Sequence, residues 1–230
     1  MLLVVTAMSI QLGGYETMQE NATSLVAGHL QVQNAAYVDN DRLENTIVDA
    51  SAILSEVAKV DAVVAVAPRV ETFALASAGE RSCGAQIMGI DPPADARVVR
   101  LEERIIEGRG VSGGNDGLIG VGLARNLGVG VGDEVVVLGA AAEGGVAAMA
   151  IEVVGLFRSG QSALDRAVIW APLAAVQNAF GLSDEVHTLV VRSDDLDTVD
   201  ATAARIAAAL RGRPSRDVIL SVRPWHEVLP

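Results

Sequence analysis

The sequence predicts an α+β fold: an α/β lobe formed by two β-α-β units from both chain ends, with an inserted mostly-β lobe. Two observations carry this expectation. A strand-helix-strand pattern appears early in the chain and again, at similar length, near its end. Between them lies a Gly-rich stretch of short apolar runs that reads as several strands and turns. The expected division is 1–27 as an N-terminal segment, 28–72 and 184–230 as the two halves of the α/β lobe, and 73–183 as the insertion.

In the first unit, His29-Leu-Gln-Val-Gln33 alternates like a half-buried strand. Thr46 to Val60 reads as a helix capped by Thr46, with Ile47, Ser51, Leu54 and Ala58 on one face. Ala62 to Val70 then reads as a strand. In the second unit, His187 to Arg192 is strand-like, and Asp197 is placed to cap a helix over Thr198–Leu210. That helix would bury Val199, Ala203, Ile206 and Leu210. Arg211 to Asp217 turns the chain into a last strand, Val218–Val222. Each unit offers one apolar helix face, and a shared sheet would bury both.

The insertion contains strand-like runs at Ala85–Ile90, Leu118–Val121, Glu134–Leu138, Ala148–Phe157 and Ala167–Trp170, and a short helix at Leu123–Leu127. A polar loop, Arg158–Asp165, separates the last two strands. Pro172 follows at the first turn of a helix, where its missing N–H has no intrahelical partner in any case.

Composition narrows the function. The chain has 230 residues, half of them hydrophobic but only 3% aromatic, so its core is built from Val, Ile, Leu and Ala. A net charge of −12 disfavours nucleic acid or an anionic lipid surface as a partner. Cys83 stands alone, which excludes an intrachain disulfide and says nothing of the compartment.

The first twelve residues, MLLVVTAMSIQL, are apolar, and no Lys or Arg precedes Arg42. They lack the basic start of a secretory signal and are too short to span a bilayer alone. We read them as the outer end of a first transmembrane helix; a buried N-terminal helix fits these residues equally well. The close at Val228-Leu-Pro230 is what a segment lying before a further membrane helix would show.

No constellation carries catalysis. Gly120-Val-Gly122-Leu-Ala-Arg125 has Arg where a dinucleotide fold needs a small residue. Lys59, the single lysine, is not in a phosphate loop. His226-Glu227 ends at Pro230 without a second His. Ser162 is not in a nucleophile elbow, and Asp194–Asp197 lacks the Gly and Glu of a calcium loop. His29, His187 and His226 are dispersed, with His29 and His187 heading strands. Asp133 and Asp165 suit turns, and the sequon at Asn21 carries little weight.

Five motifs in order nevertheless point to a family. They are Gly28-His-Leu-Gln-Val32, Ala67-Pro-Arg-Val70, Met88-Gly-Ile-Asp-Pro92, Gly122-Leu-Ala-Arg-Asn-Leu-Gly-Val-Gly-Val-Gly-Asp133, and Val154-Gly-Leu-Phe-Arg-Ser-Gly160 followed by Asp165. Together they resemble the extracytoplasmic core domain of FtsX-like ABC transporter permeases, including the macrolide-exporter type, from Gly28 to Trp225. The last motif is closest to the lipoprotein-releasing branch.

The resemblance implies a porter-like α/β lobe and an inserted β-rich lobe between two membrane helices of an inner-membrane permease, lying in the periplasm or extracellular space. It implies a cytoplasmic ATPase subunit that hydrolyses the ATP, a second permease subunit, and lipoprotein or other amphiphilic cargo; it implies no catalysis, cofactor or metal. The lipoprotein-releasing permeases that pass cargo to a soluble chaperone carry a projecting hairpin. Here that stretch is Ala140–Met149, without Pro, Arg or aromatic residues, which puts chaperone docking in doubt. The candidate partner contacts are Glu143, Gly144 and Gly145 in this hairpin, and Arg158, Gln161 and Asp165 in the loop. Two other readings stay open: an efflux-type permease docking a periplasmic adaptor or exit duct, and a free-standing soluble binding module.

Overall fold

A computed structural model describes residues 27–211 and 218–228. The apolar start, the Asn21 sequon and the turn at 212–217 lie outside the described residues.

The chain ends build one sheet with strand order β10-β1-β9-β2, all neighbours antiparallel. Its strands are β1 (Leu30–Asn34), the first half of β2 (Val63–Ala78), β9 (Thr188–Ser193) and β10 (Leu220–Pro224). After β1 come α1 (Ala35–Asp39) and α2 (Ala50–Val57); α7 (Val199–Leu210) joins β9 to β10. The two units interleave, because β9 lies between β1 and β2 while β1 lies between β9 and β10. Helices α2 and α7 pack on each other and on one sheet face. The expected face of α7, Val199, Ala203, Ile206 and Leu210, is buried as read, together with Thr202.

Both helix starts differ from the expectation. Ile47 forms a bridge with Val186, its N–H donating to Val186 O at 2.7 Å. That pairing holds the chain extended, so α2 begins at Ala50 and not at Thr46. Thr46 does not cap it; its hydroxyl donates to Glu185 Oε2 at 2.6 Å. The buried residues of α2 become Ala50, Ile53 and Val57, while Ser51 is exposed and donates to Asp184 Oδ1. Asp49 sits at the N-cap position in the left-handed region with no side-chain cap. Asp197 does not cap α7 either: Thr198 holds the N-cap position, and the Asp197 N–H donates to Asp195 Oδ1.

Strand β2 is 16 residues long and runs unbroken through residue 72, where a lobe boundary was expected. Its second half enters a ring. The other members are β3 (Arg81–Ile90), β5 (Asp116–Gly120), β6 (Glu134–Ala140), β7 (Val146–Phe157) and β8 (Val168–Pro172). The pairings β2–β3, β3–β8, β8–β5, β5–β7, β7–β6 and β6–β2 close a six-stranded barrel. Closure removes free strand edges from the ring. Its core is aliphatic and includes Ala76, Ala85, Ile87, Ile119, Val135, Val137, Ile151, Val153 and Ile169. Helix α4 (Val121–Leu127) contributes Leu123, Ala124 and Leu127 to this core, and α6 (Leu173–Phe180) contributes Val176 and Phe180.

The opposite sheet face is covered by α3 (Pro92–Val98) and a 3-10 turn (Leu101–Arg104), neither of which was expected. Val98, Val99 and Leu101 pack there with Ala65, Ala67, Met88 and Trp170. A short strand, β4 (Ile105–Gly108), pairs with β7 and ends the sheet on that side.

Candidate functional site

The six candidate contact residues fall at opposite ends of β7. With 12 residues at about 3.3 Å each, the strand keeps the two groups about 40 Å apart along the chain.

At its C-terminal end, Arg158–Gln161 is a tight loop, and Asp165 lies within a short helix, α5 (Ser162–Ala167), where a loop was expected. The loop closes on Asp165. Its Oδ1 accepts from the Ser159 N–H and from the Ser159 hydroxyl, both at 2.7 Å. Ser159 Oγ in turn accepts from the Gln161 N–H at 2.9 Å, and the Arg158 N–H donates to Arg104 O. The side chains of Arg158 and Gln161 are exposed, whereas Ser159 is buried. Arg158 and Gln161 therefore present the available contacts, and Asp165 shapes the loop.

The dinucleotide-like glycines belong to the same corner. A Cβ on Gly120 would meet Asp165 O at 2.5 Å, and one on Gly122 would meet Arg166 Cγ at 2.7 Å. Their role is to let the α5 backbone approach the start of α4.

At the other end, Glu143, Gly144 and Gly145 form the exposed tip of the β6–β7 hairpin. Gly144 and Gly145 have φ of 88° and 97°, the left-handed region glycine tolerates. The hairpin is tied to α6: the Ala142 N–H donates to Phe180 O at 2.9 Å. Gly139 lies so close to the Phe180 ring that a Cβ there would be 2.8 Å from Cε1.

Two buried polar centres were not anticipated. Arg69, within the Ala67–Val70 motif, reaches Asp95 of α3 and lies 5.1 Å from the centroid of the Trp170 ring. His187 is fully buried; its Nδ1 accepts from the Glu71 N–H at 3.0 Å, so Nε2 carries the proton and donates to Leu43 O at 3.1 Å. Tyr37 packs on its ring at 4.8 Å. Burial lowers the His187 pKa to about 4 and raises that of the neighbouring Glu71 carboxyl, with Arg69 opposing the latter shift. His29 bonds Ser193 and His226 bonds Asp200, so each histidine has its own partners. Among the described residues no group of three His, Cys, Asp or Glu could hold a metal ion.

With this geometry, relatives become informative. Residues 1–209 match the MacB-like periplasmic core domain. The chain belongs to that family. Over 237 aligned positions this MacB-like core domain is 29% identical to the lipoprotein-releasing system transmembrane protein LolC of Neisseria meningitidis serogroup B. The alignment covers 97% of the chain and 53% of LolC, so the chain spans about half that relative's length.

The fold also matches the extracellular domain of the noncanonic ABC-type transporter YknZ from Gram-positive bacteria. The TM-score is 0.61 at 16% identity, over 84% of this chain and 98% of the other. The periplasmic region of MacB from Actinobacillus actinomycetemcomitans gives 0.60 at 13%, over 86% and 89%. The MacB-like core domain is thus a periplasmic domain of the ABC permease type, as the motif order implied. Among its described residues no helix is long and apolar enough to cross a membrane.

Proposed function

We propose that the chain is the extracytoplasmic domain of an inner-membrane permease subunit, carrying ATP-driven motion outward to a lipoprotein or other amphiphile. The observation that carries this reading is the adjacency of the first and last described strands. Leu30 pairs with Pro224, and the Trp225 N–H donates to His29 O at 3.0 Å. A domain that is entered and left at one point suits insertion between two neighbouring membrane helices. From that point β2 leads straight into the barrel, so movement at the base has a stiff route outward.

In this reading the lobe of 28–72 and 184–230 is the base and 73–183 the working head. An ATPase subunit acts through the membrane helices, alongside a second permease subunit. The partner contacts are Glu143, Gly144 and Gly145 at one end of β7 and Arg158, Gln161 and Asp165 at the other. The second reading, docking of a periplasmic adaptor or exit duct, is favoured by the hairpin's attachment to Phe180, which leaves a short tip where a chaperone-capturing arm would project.

Photo-crosslinkers at Glu143 and Arg158, in the protein expressed in its native cells, separate these readings. Acylated proteins or their carrier among the adducts support lipoprotein handling. An adaptor supports the second reading. Crosslinks to small molecules alone would discard both and leave a free-standing binding module.

A further inference from the structure

A cavity of about 150 Å³ opens between α3, the 3-10 turn and the start of β4. Its walls are apolar: Ile90, Val99, Leu101, Val111 and Leu118 line it, and each is buried. One charged side chain, Asp95, is buried in the same wall. Its carboxylate is engaged on one side only, because Arg69 Nε and Nη2 both meet Oδ1. Oδ2 accepts no hydrogen bond from any described residue, yet it is not sealed off, and it therefore opens onto the cavity that Asp95 lines. A carboxylate oxygen set among apolar side chains without a donor is costly, so this position calls for one. At the mouth, Arg100 lies 3.9 Å from Glu103. Glu102 has no ion-pair partner among the described residues. Its Oε1 would lie 3.8 Å from a Cβ on Gly110, across the same opening.

We propose that this cavity binds a small amphiphilic monocation, an ammonium group carried on a compact apolar body. Three arguments select that chemistry. The first is charge. Arg69 offsets Asp95 and Arg100 offsets Glu103, which leaves the single negative charge of Glu102 for a ligand to balance. The second is the shape of the acceptor. Arg69 already occupies Oδ1, so a guanidinium would find no second oxygen for its paired donors, whereas a compact ammonium needs only Oδ2. The third is size. An apolar cavity of about 150 Å³ accommodates a six-carbon ring, well below the roughly 300–1,000 Å³ of pockets for drug-sized ligands. The ring or chain would lie against Val99, Val111 and Leu118, with the ammonium donating to Asp95 Oδ2. The inference does not rest on the transport reading, and its failure would leave that reading untouched.

Titration of the 230-residue chain with benzylammonium chloride, followed by amide NMR shifts, tests it. The expected result is saturable binding with Kd of about 0.1–1 mM, in the range open to so small a ligand. The shifts should centre on the amides of Val99, Leu101, Gly110 and Val111, which surround the cavity. Benzyl alcohol, which keeps the ring but not the charge, should bind at least about tenfold more weakly. Glu102→Gln should weaken benzylammonium about two- to fivefold, as loss of an exposed charge does. Ala96→Phe should abolish binding by filling the mouth, where position 96 is exposed, and circular dichroism should show that variant folded. The absence of saturation up to about 50 mM overturns the proposal. Equal affinity for benzyl alcohol overturns it too, since the cavity would then select by apolar fit alone. So do shifts scattered over the acidic surface and unchanged by Ala96→Phe, which would mark unspecific attraction to a chain of charge −12.

Discussion

Arg69 and Asp95 form an ion pair sealed inside the protein: Nε and Nη2 of the arginine both lie 2.8 Å from one carboxylate oxygen. The side chains are 0% and 2% exposed. The pair joins the middle of β2 to α3, so it fixes the cover of one sheet face to the strand shared by sheet and barrel.

Removing one partner should be far worse than removing both. Asp95→Ala leaves a buried guanidinium without its counterion, and we expect a loss of about 3–5 kcal/mol in urea unfolding. Arg69→Met combined with Asp95→Leu should lose clearly less than that single change. Equal losses for the single and double variants would show that side-chain packing, not the charge left behind, sets the cost.

His187 should make the fold acid-sensitive. Its folded pKa, about 4, lies below its ordinary 6.5, so the unfolded chain takes up the proton first as pH falls. The stability linked to neutral His187 is full above pH 6.5 and is lost progressively towards pH 4, by roughly 3 kcal/mol. Glu71 acts in the opposite sense: its raised pKa favours the fold at low pH and works against it as pH rises past the ordinary carboxylate range. Asp116, whose carboxyl is held low chiefly by Arg109, loses its contribution only below about pH 3.8, outside this window. Denaturant midpoints measured across pH 4–7 should slope more steeply for the wild type than for His187→Gln. Parallel curves would remove His187 as the cause.

Gly120→Ala should destabilise by about 1–3 kcal/mol, because the new methyl group meets the backbone carbonyl of Asp165 and not a side chain able to turn away. Gly130→Ala is the control, since nothing lies within 4 Å of a Cβ there. Thermal melts of the two variants decide it, and equal shifts would contradict the close approach.

Asp165→Ala should loosen the 158–161 loop without unfolding the domain. It removes the acceptor for the Ser159 N–H and hydroxyl, at a cost of about 1–3 kcal/mol. Amide exchange at Ser159 should accelerate while exchange at Ala142, bonded to Phe180 on the hairpin, stays unchanged. Acceleration at both positions would mean that the two ends of β7 are not independent.

Much of the fold is legible in the sequence because periodicity is local information. The five strand-like runs of the middle section all became strands, and α7 buries the face its spacing announces. What stayed hidden depends on contacts between distant segments. The start of α2 moved because Ile47 pairs with Val186, which no local pattern foretells. The length of β2 was hidden for a related reason. Val70 looked like the close of a strand, yet where pairing with β9 ends at Arg69, pairing with β3 takes over and carries the strand on to Ala78. Arg69 stood in a recognised motif, but its partner arrives from a helix 26 residues later. Of the candidate contact residues, Arg158 and Gln161 were legible as exposed loop positions. Asp165 was legible as a turn residue, but the N–H and hydroxyl of Ser159 as its donors were not.

The placement of β1 bears on how the protein is made. Both neighbours of this strand, β9 and β10, come from the far end of the chain, and Gln33 meets Thr188 across a separation of 155 in sequence. During synthesis the last barrel strand, β8, is complete at Pro172, before β9 begins at Thr188, so the barrel can close while β1 still lacks a companion. Its hydrogen-bonding groups then stay open to misplaced pairing until the last helix and strand emerge. A nascent chain of this topology therefore depends on being shielded, or on finishing quickly, during the interval between barrel closure and the arrival of β9.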